Sequence, residues 1–138
     1  MNSSVLLAFR SADHAALLLR IALGAMWITH GLVLKLMTFG IEGFAGWMTS
    51  QGLPAVLAWP IVLAEIGGGL AIALGWHGRW VSLALLPILL GATQVHAGNG
   101  WVFTAPNGGW EYPAFLLAAS LAHFFLGDGA VAVKRERA

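Results

Sequence analysis

The chain has 138 residues, of which 59% are hydrophobic and 9% are charged, and its net charge is +1. A soluble domain of this size is about one quarter charged, so the solvent of this surface is lipid, and the near-neutral balance excludes a nucleic-acid partner. The sequence contains no cysteine, which excludes disulfides, iron–sulfur ligation and thiol chemistry, a quinone-linked thiol oxidase included.

A helix needs roughly 20 apolar residues to cross a bilayer, and four segments meet that length. The first is predicted over residues 15–37. It is too long for the apolar stretch of a secretory signal, and "HGLVLKLM" offers no small-residue cleavage site. In the loop that follows, Ile41, Phe44, Ala45 and Met48 recur at helical spacing beside Trp47, which predicts a short amphipathic helix lying in the interface. The second span is predicted over 55–76 and the third over 80–97, joined as an antiparallel hairpin by the tight turn "GWHGRW". Pro60 and Pro87 should kink these two helices. Ala64 with Gly68, and Gly67 with Ala71 and Gly75, are spaced by four and should let neighbouring backbones approach closely. After a turn-rich loop, "GNGWVFTAPNGG", the fourth span is predicted over 110–126. The fold class expected is all-α: residues 1–138 as one membrane domain, a four-helix bundle with an interfacial helix in its first outer loop.

Orientation follows lysine and arginine. Arg10, Arg20, Arg79, Lys134, Arg135 and Arg137 fall on one side and Lys35 on the other, which accounts for all 7 basic residues. Both termini are therefore expected in the cytoplasm, with the loops at 38–54 and 98–109 outside.

An ionisable side chain within a span costs about 2.5–3.5 kcal/mol on insertion scales and marks function by default. Arg20 lies early in the first span, and its long side chain is expected to reach the cytoplasmic headgroups. Glu65 stands near the midplane of the second span. His30 lies about 15 Å beyond Arg20 along the helix axis, His96 near the outer end of the third span, and Glu111 at the outer start of the fourth. His30, Glu65, His96 and Glu111 thus supply one polar group from each span in the middle or outer half, and they form the candidate site. Supporting residues are Lys35, Tyr112, Trp27 and Trp110, with Trp101 a further aromatic. On α-helical geometry Lys35 is about 140° around from His30, so it is expected to anchor at the outer headgroups. His123 falls about 18 Å deeper than Glu111 and stands outside this site. Trp110 and Tyr112 suit an aromatic belt, Pro113 a first helical turn, and Glu111 the positive end of the helix dipole.

The stretches "LLRIALGAMWITHGLVLKL", "GFAGWMTSQGLP", "AEIGGGLAIALGWHGRW" and "GGWEYP", in this order and spacing, resemble the DoxX family of small four-helix bacterial membrane proteins, over about residues 15 to 127. The matching positions are His30, Gly31, Lys35, Glu65, Gly67, Gly68, Arg79, His96 and Glu111. The resemblance implies a multi-pass protein of the bacterial inner membrane. Namesake relatives are associated with a thiosulfate:quinone oxidoreductase, and others with membrane redox or oxidative-stress complexes. Without a separate soluble redox domain, any enzymatic role would need a partner subunit or a freely bound cofactor.

Four functions compete at this level. In the first the chain is the quinone-interacting subunit of a membrane oxidoreductase: His30, His96 and Glu111 hydrogen-bond the ring, Trp27, Trp101 and Trp110 stack on it, and Glu65 carries protons. In the second it binds or transports a small solute or lipid, as a homo-oligomer, since four spans make a thin transporter. Metal or haem binding is the third and weaker one, because the Glu-x-x-His spacing of bundle metal sites does not occur. In the fourth it is a structural subunit whose polar residues only join helices.

Overall fold

The computed structural model describes residues 3–134, with side chains from residue 11 onward. Of the basic residues used for orientation, Arg135, Arg137 and the side chain of Arg10 lie outside the described residues. The described chain is helical throughout, apart from turns, loops and one isolated parallel bridge between Trp76 and Lys134.

Helix α1 spans Ser3–Ile28 and continues without interruption into a π-helical segment, Thr29–Thr38. A π-helix closes its turn with i→i+5 bonds, and the Phe39 amide accordingly donates to the Leu34 carbonyl at 2.9 Å, with the Thr38 hydroxyl donating to the Val33 carbonyl at 2.7 Å. Gly40, at φ 72°, reverses the chain into α2, Ile41–Ser50. This is the predicted amphipathic helix, and it buries Phe44 and Met48 against Ala58 and Val62. A 3₁₀ turn, Ala55–Leu57, leads into α3, Ala58–Leu74, which ends on Gly75 at φ 69°. Then follow α4, Gly78–Ala84, and α5, Leu86–His96, extended by a 3₁₀ turn, Ala97–Asn99, and last α6, Glu111–Leu126.

Three helical stretches are long and apolar enough to cross a membrane, Ser11–Thr38, Ala55–Leu74 and Gly78–Asn99, while α6 is a shorter apolar helix of 16 residues. At 1.5 Å per residue α6 covers about 24 Å, less than the roughly 30 Å hydrocarbon core. The core between these helices is built from Leu23, Trp27, Ile72, Leu85, Leu89 and Leu116.

Two packing expectations need correction. The tight contact between α1 and α3 is made by Gly24, where an added Cβ would lie 2.7 Å from the Ala73 Cβ and 2.8 Å from the Gly69 carbonyl. Gly68 instead faces Leu85 and Val81 of the next helix, and Gly67 has no neighbour within 4 Å. Spacing by four identified a small-residue face without saying which helix it meets. The prolines also differ from one another. Pro87, at the start of α5, lacks the N–H that would continue α4, so the helix breaks at Leu85. Pro60 stands in the first turn of α3, where the missing N–H would have had no partner anyway, and α3 runs on unbroken.

The ends of the bundle differ. One end, here the loop end, carries α2 and the loop 100–110. The other, the strap end, carries the turn 75–77 and the segment 127–134, which lies back across the helices.

Candidate functional site

At the loop end the π-helical segment sets the site. Gly31 lets it press against α3: a Cβ there would lie 2.9 Å from the Glu65 Cβ and 3.0 Å from the Ile66 Cγ1. Because about five residues close a π turn, His30 and Lys35 come onto one face, where α-helical geometry would separate them. Lys35 therefore does not anchor at the headgroups. Its ammonium donates to both Glu65 oxygens, at 2.8 and 2.9 Å. The carboxylate is buried at 2% exposure and the lysine retains 18%. The Lys35 ammonium also sits 5.2 Å from the centre of the Phe44 ring.

His30 is oriented by its own helix. Its Nδ1 lies 3.0 Å from the Met26 carbonyl. A carbonyl can only accept, so Nδ1 carries the proton and Nε2 of the neutral ring is left as an acceptor. The Tyr112 ring stacks on His30, with centroids 6.0 Å apart and an interplanar angle of 27°. Between these side chains and α5 lies a cavity of about 420 Å³, whose wall includes Trp27, His30, Lys35, Glu65, His96 and Tyr112 and is otherwise predominantly apolar.

Two of the predicted site residues work on the loop instead. The His96 Nδ1 lies 3.1 Å from the carbonyls of both Asn107 and Gly108, and the Asn99 amide donates to the Gly108 carbonyl at 2.8 Å. His96 thus reaches the cavity wall while its Nδ1 pins the loop. The Glu111 carboxylate accepts the Phe103 amide at 2.8 Å, and the Glu111 amide donates to the Trp101 carbonyl at 3.0 Å. Glu111 lines a neighbouring cleft of about 870 Å³, with Trp101 and Phe103, rather than the cavity. Trp110 packs edge-on against Trp101 with centroids 4.5 Å apart, supporting the same loop. Of the predicted set, then, His30, Glu65, His96, Tyr112, Trp27 and Lys35 share one cavity, and Glu111 and Trp110 build the loop beside it. Among the described residues no group of three or more His, Cys, Asp or Glu side chains converges to hold a metal ion.

An added methyl at Gly31 tests the geometry. Gly31→Ala is expected to lower stability by about 1–3 kcal/mol, the usual cost of overpacking, and to push Lys35 away from Glu65. Thermal unfolding in detergent checks this. A variant as stable as the parent would show that the close approach is dispensable.

The strap end holds a second buried polar cluster. Asp128 accepts the amides of Gly78, at 3.0 Å, and Arg79, at 2.8 Å. Its Oδ1 also lies 3.3 Å from the His123 Nε2, and the His123 Nδ1 is 2.7 Å from the Ser82 hydroxyl. Arg20 does not reach the headgroups as predicted. It is 1% exposed, and one of its Nη groups donates to the carbonyls of Ala130 and Val131, at 3.1 and 3.2 Å. Gly75 makes this route open, because a Cβ there would overlap the guanidinium. Ser82, His123 and Asp128 are fully buried, so no substrate reaches the hydroxyl and the chain of contacts locks the strap in place.

The family model named DoxX matches residues 15–99, from within α1 to the 3₁₀ turn after α5. No curated protein matches the chain, and no solved structure does.

Proposed function

The chain belongs to the DoxX family and is a small membrane protein, and from that premise we propose that it is the quinone-interacting subunit of an oxidoreductase in the bacterial inner membrane. In this reading α6 is the fourth span, local thinning of the bilayer making up for its short length. The loop end faces outward and both termini face the cytoplasm, which the basic residues Arg20, Arg79 and Lys134 at the strap end support.

The observation that carries the reading is the Lys35–Glu65 pair in the wall of an apolar cavity of about 420 Å³, beside His30 and Tyr112. Ligand pockets are of this size and kind, mostly apolar with a few placed polar groups. A quinone ring needs flat apolar walls, donors for its carbonyls, and groups that exchange protons as electrons arrive. The Lys35 ammonium keeps a third N–H beyond the two given to Glu65. The Tyr112 hydroxyl is a further donor, and the His30 Nε2 and Glu65 are proton acceptors. The electrons would come from a partner subunit, since the chain carries no cysteine for a cluster or dithiol.

The test is lipid extraction with mass analysis of protein purified in mild detergent, followed by titration with a short-tailed ubiquinone. A quinone that co-purifies, with binding weakened about tenfold or more in Glu65→Gln and Lys35→Met, is the expected result. Absence of any saturable quinone binding by the folded wild type would sink the reading. It would favour a structural subunit, or a site for another small solute or lipid.

A further inference from the structure

Resting on that reading of the cavity, we infer that the cleft between the π-helical segment and α2 is a lateral portal. The ligand is then a membrane-dissolved molecule that keeps an alkyl or isoprenoid tail in this cleft while its ring occupies the cavity. The cleft measures about 580 Å³ and is lined by Phe39, Gly43, Phe44 and Trp47, together with His30 and Lys35. His30, Lys35, Phe44 and Trp47 also line the cavity, so the two spaces adjoin along a wall that these four side chains share. The polar members of that wall, His30 and Lys35, come from the π-helical segment, and the apolar ones, Phe44 and Trp47, come from α2. A ligand lying across it would meet hydrogen-bonding groups at its head and aromatic surface along its tail.

Two features separate this from an ordinary crevice. Phe39 at its edge is 62% exposed and Trp47 is 42% exposed, so the opening is apolar and suits lipid. In addition, Gly43 stands inside a 10-residue helix, where glycine is less favourable than alanine. It gains no close packing in return: an added Cβ would meet the Phe39 Cβ at 3.8 Å and nothing nearer. Its missing side chain leaves the cleft open. A larger residue there would point into the space a tail would fill.

The test uses Gly43→Leu and Gly43→Ala in the full chain, with Ala114→Leu, in the wall of the cleft beside Glu111, as control. The probes are a ubiquinone ring with a decyl tail and the same ring without a tail, each titrated against protein in nanodiscs. Gly43→Ala should raise the melting temperature, because alanine is the better helix former and meets nothing nearer than the Phe39 Cβ at 3.8 Å. Gly43→Leu should bind the tailed probe about tenfold more weakly, the effect of one overpacked contact, and the tailless probe unchanged. Wild-type affinity for the tailed probe in Gly43→Leu, or the same loss for both probes relative to the wild type, overturns the portal while leaving the cavity reading intact. So does loss of the tailed probe in Ala114→Leu rather than Gly43→Leu, which would move the tail to the other cleft. A wild type that binds neither probe removes the quinone reading and the portal with it.

Discussion

Lys35→Met is expected to destabilise the protein by about 3–5 kcal/mol, because it leaves the Glu65 carboxylate buried without its cation. The cost is asymmetric. Glu65→Gln leaves an ammonium that is 18% exposed and already beside Phe44, so it can turn toward the open cleft, and the loss should be smaller. Replacing both residues by neutral ones of similar shape should recover most of the stability, since a buried ion pair returns little net energy over its desolvation. The measurement is a double-mutant cycle on unfolding in detergent. Additive effects of the two substitutions would show that the side chains do not depend on one another, contrary to a bidentate contact at 2.8 and 2.9 Å.

The other large effect is expected at the strap end. Asp128→Ala should cost about 3–5 kcal/mol, by stranding the buried amide of Gly78 and the partly buried one of Arg79 and withdrawing the carboxylate from the neighbourhood of the buried Arg20 guanidinium. Asp128→Asn keeps an acceptor for at least one amide and should cost less. Amide exchange gives a readout specific to this contact, because protection at Gly78 and Arg79 should fall well before protection in the middle of α3. If exchange there is unchanged in Asp128→Ala, another group satisfies these amides.

Much of the fold was legible in the sequence, for a physical reason. Apolar runs of about 20 residues report helix length directly, and the recurrence of Ile41, Phe44, Ala45 and Met48 reported the face that α2 buries. The site was half legible. Unusual polar residues within spans drew attention to His30 and Glu65, and both line the cavity. The partner of Glu65 was missed because its discovery needed the helix pitch. Nothing in "THGLVLKLMT" announces a π-helix, and ordinary α-helical angles turn Lys35 away from His30. A usable clue was present: one acid and one base inside neighbouring spans each need the other more than either needs the headgroups. Arg20 was misplaced for a related reason. The snorkelling argument treats a span as a lone helix in lipid, whereas the strap brings the carbonyls of Ala130 and Val131 over its end. Likewise, Glu111 has the depth of a site residue, but its carboxylate is occupied by the Phe103 amide, a loop contact that no periodicity encodes.

The strap also constrains the order in which the protein can be made. Asp128 is 50 residues downstream of Gly78, so the α3–α4 hairpin must enter the membrane before the acceptor for its turn exists. At the usual 5–20 residues per second of synthesis, that interval is about 3–10 s. During it, the Gly78 and Arg79 amides must be met by water at the bilayer surface, and Arg20 lacks the carbonyls that will later hold it. The strap end therefore closes after α6 is in place, and its assembly is the last step that seals the bundle. A chain halted short of residue 128 would hold its helices in order but leave that end unsealed, exposed to the proteases that survey unfinished membrane proteins.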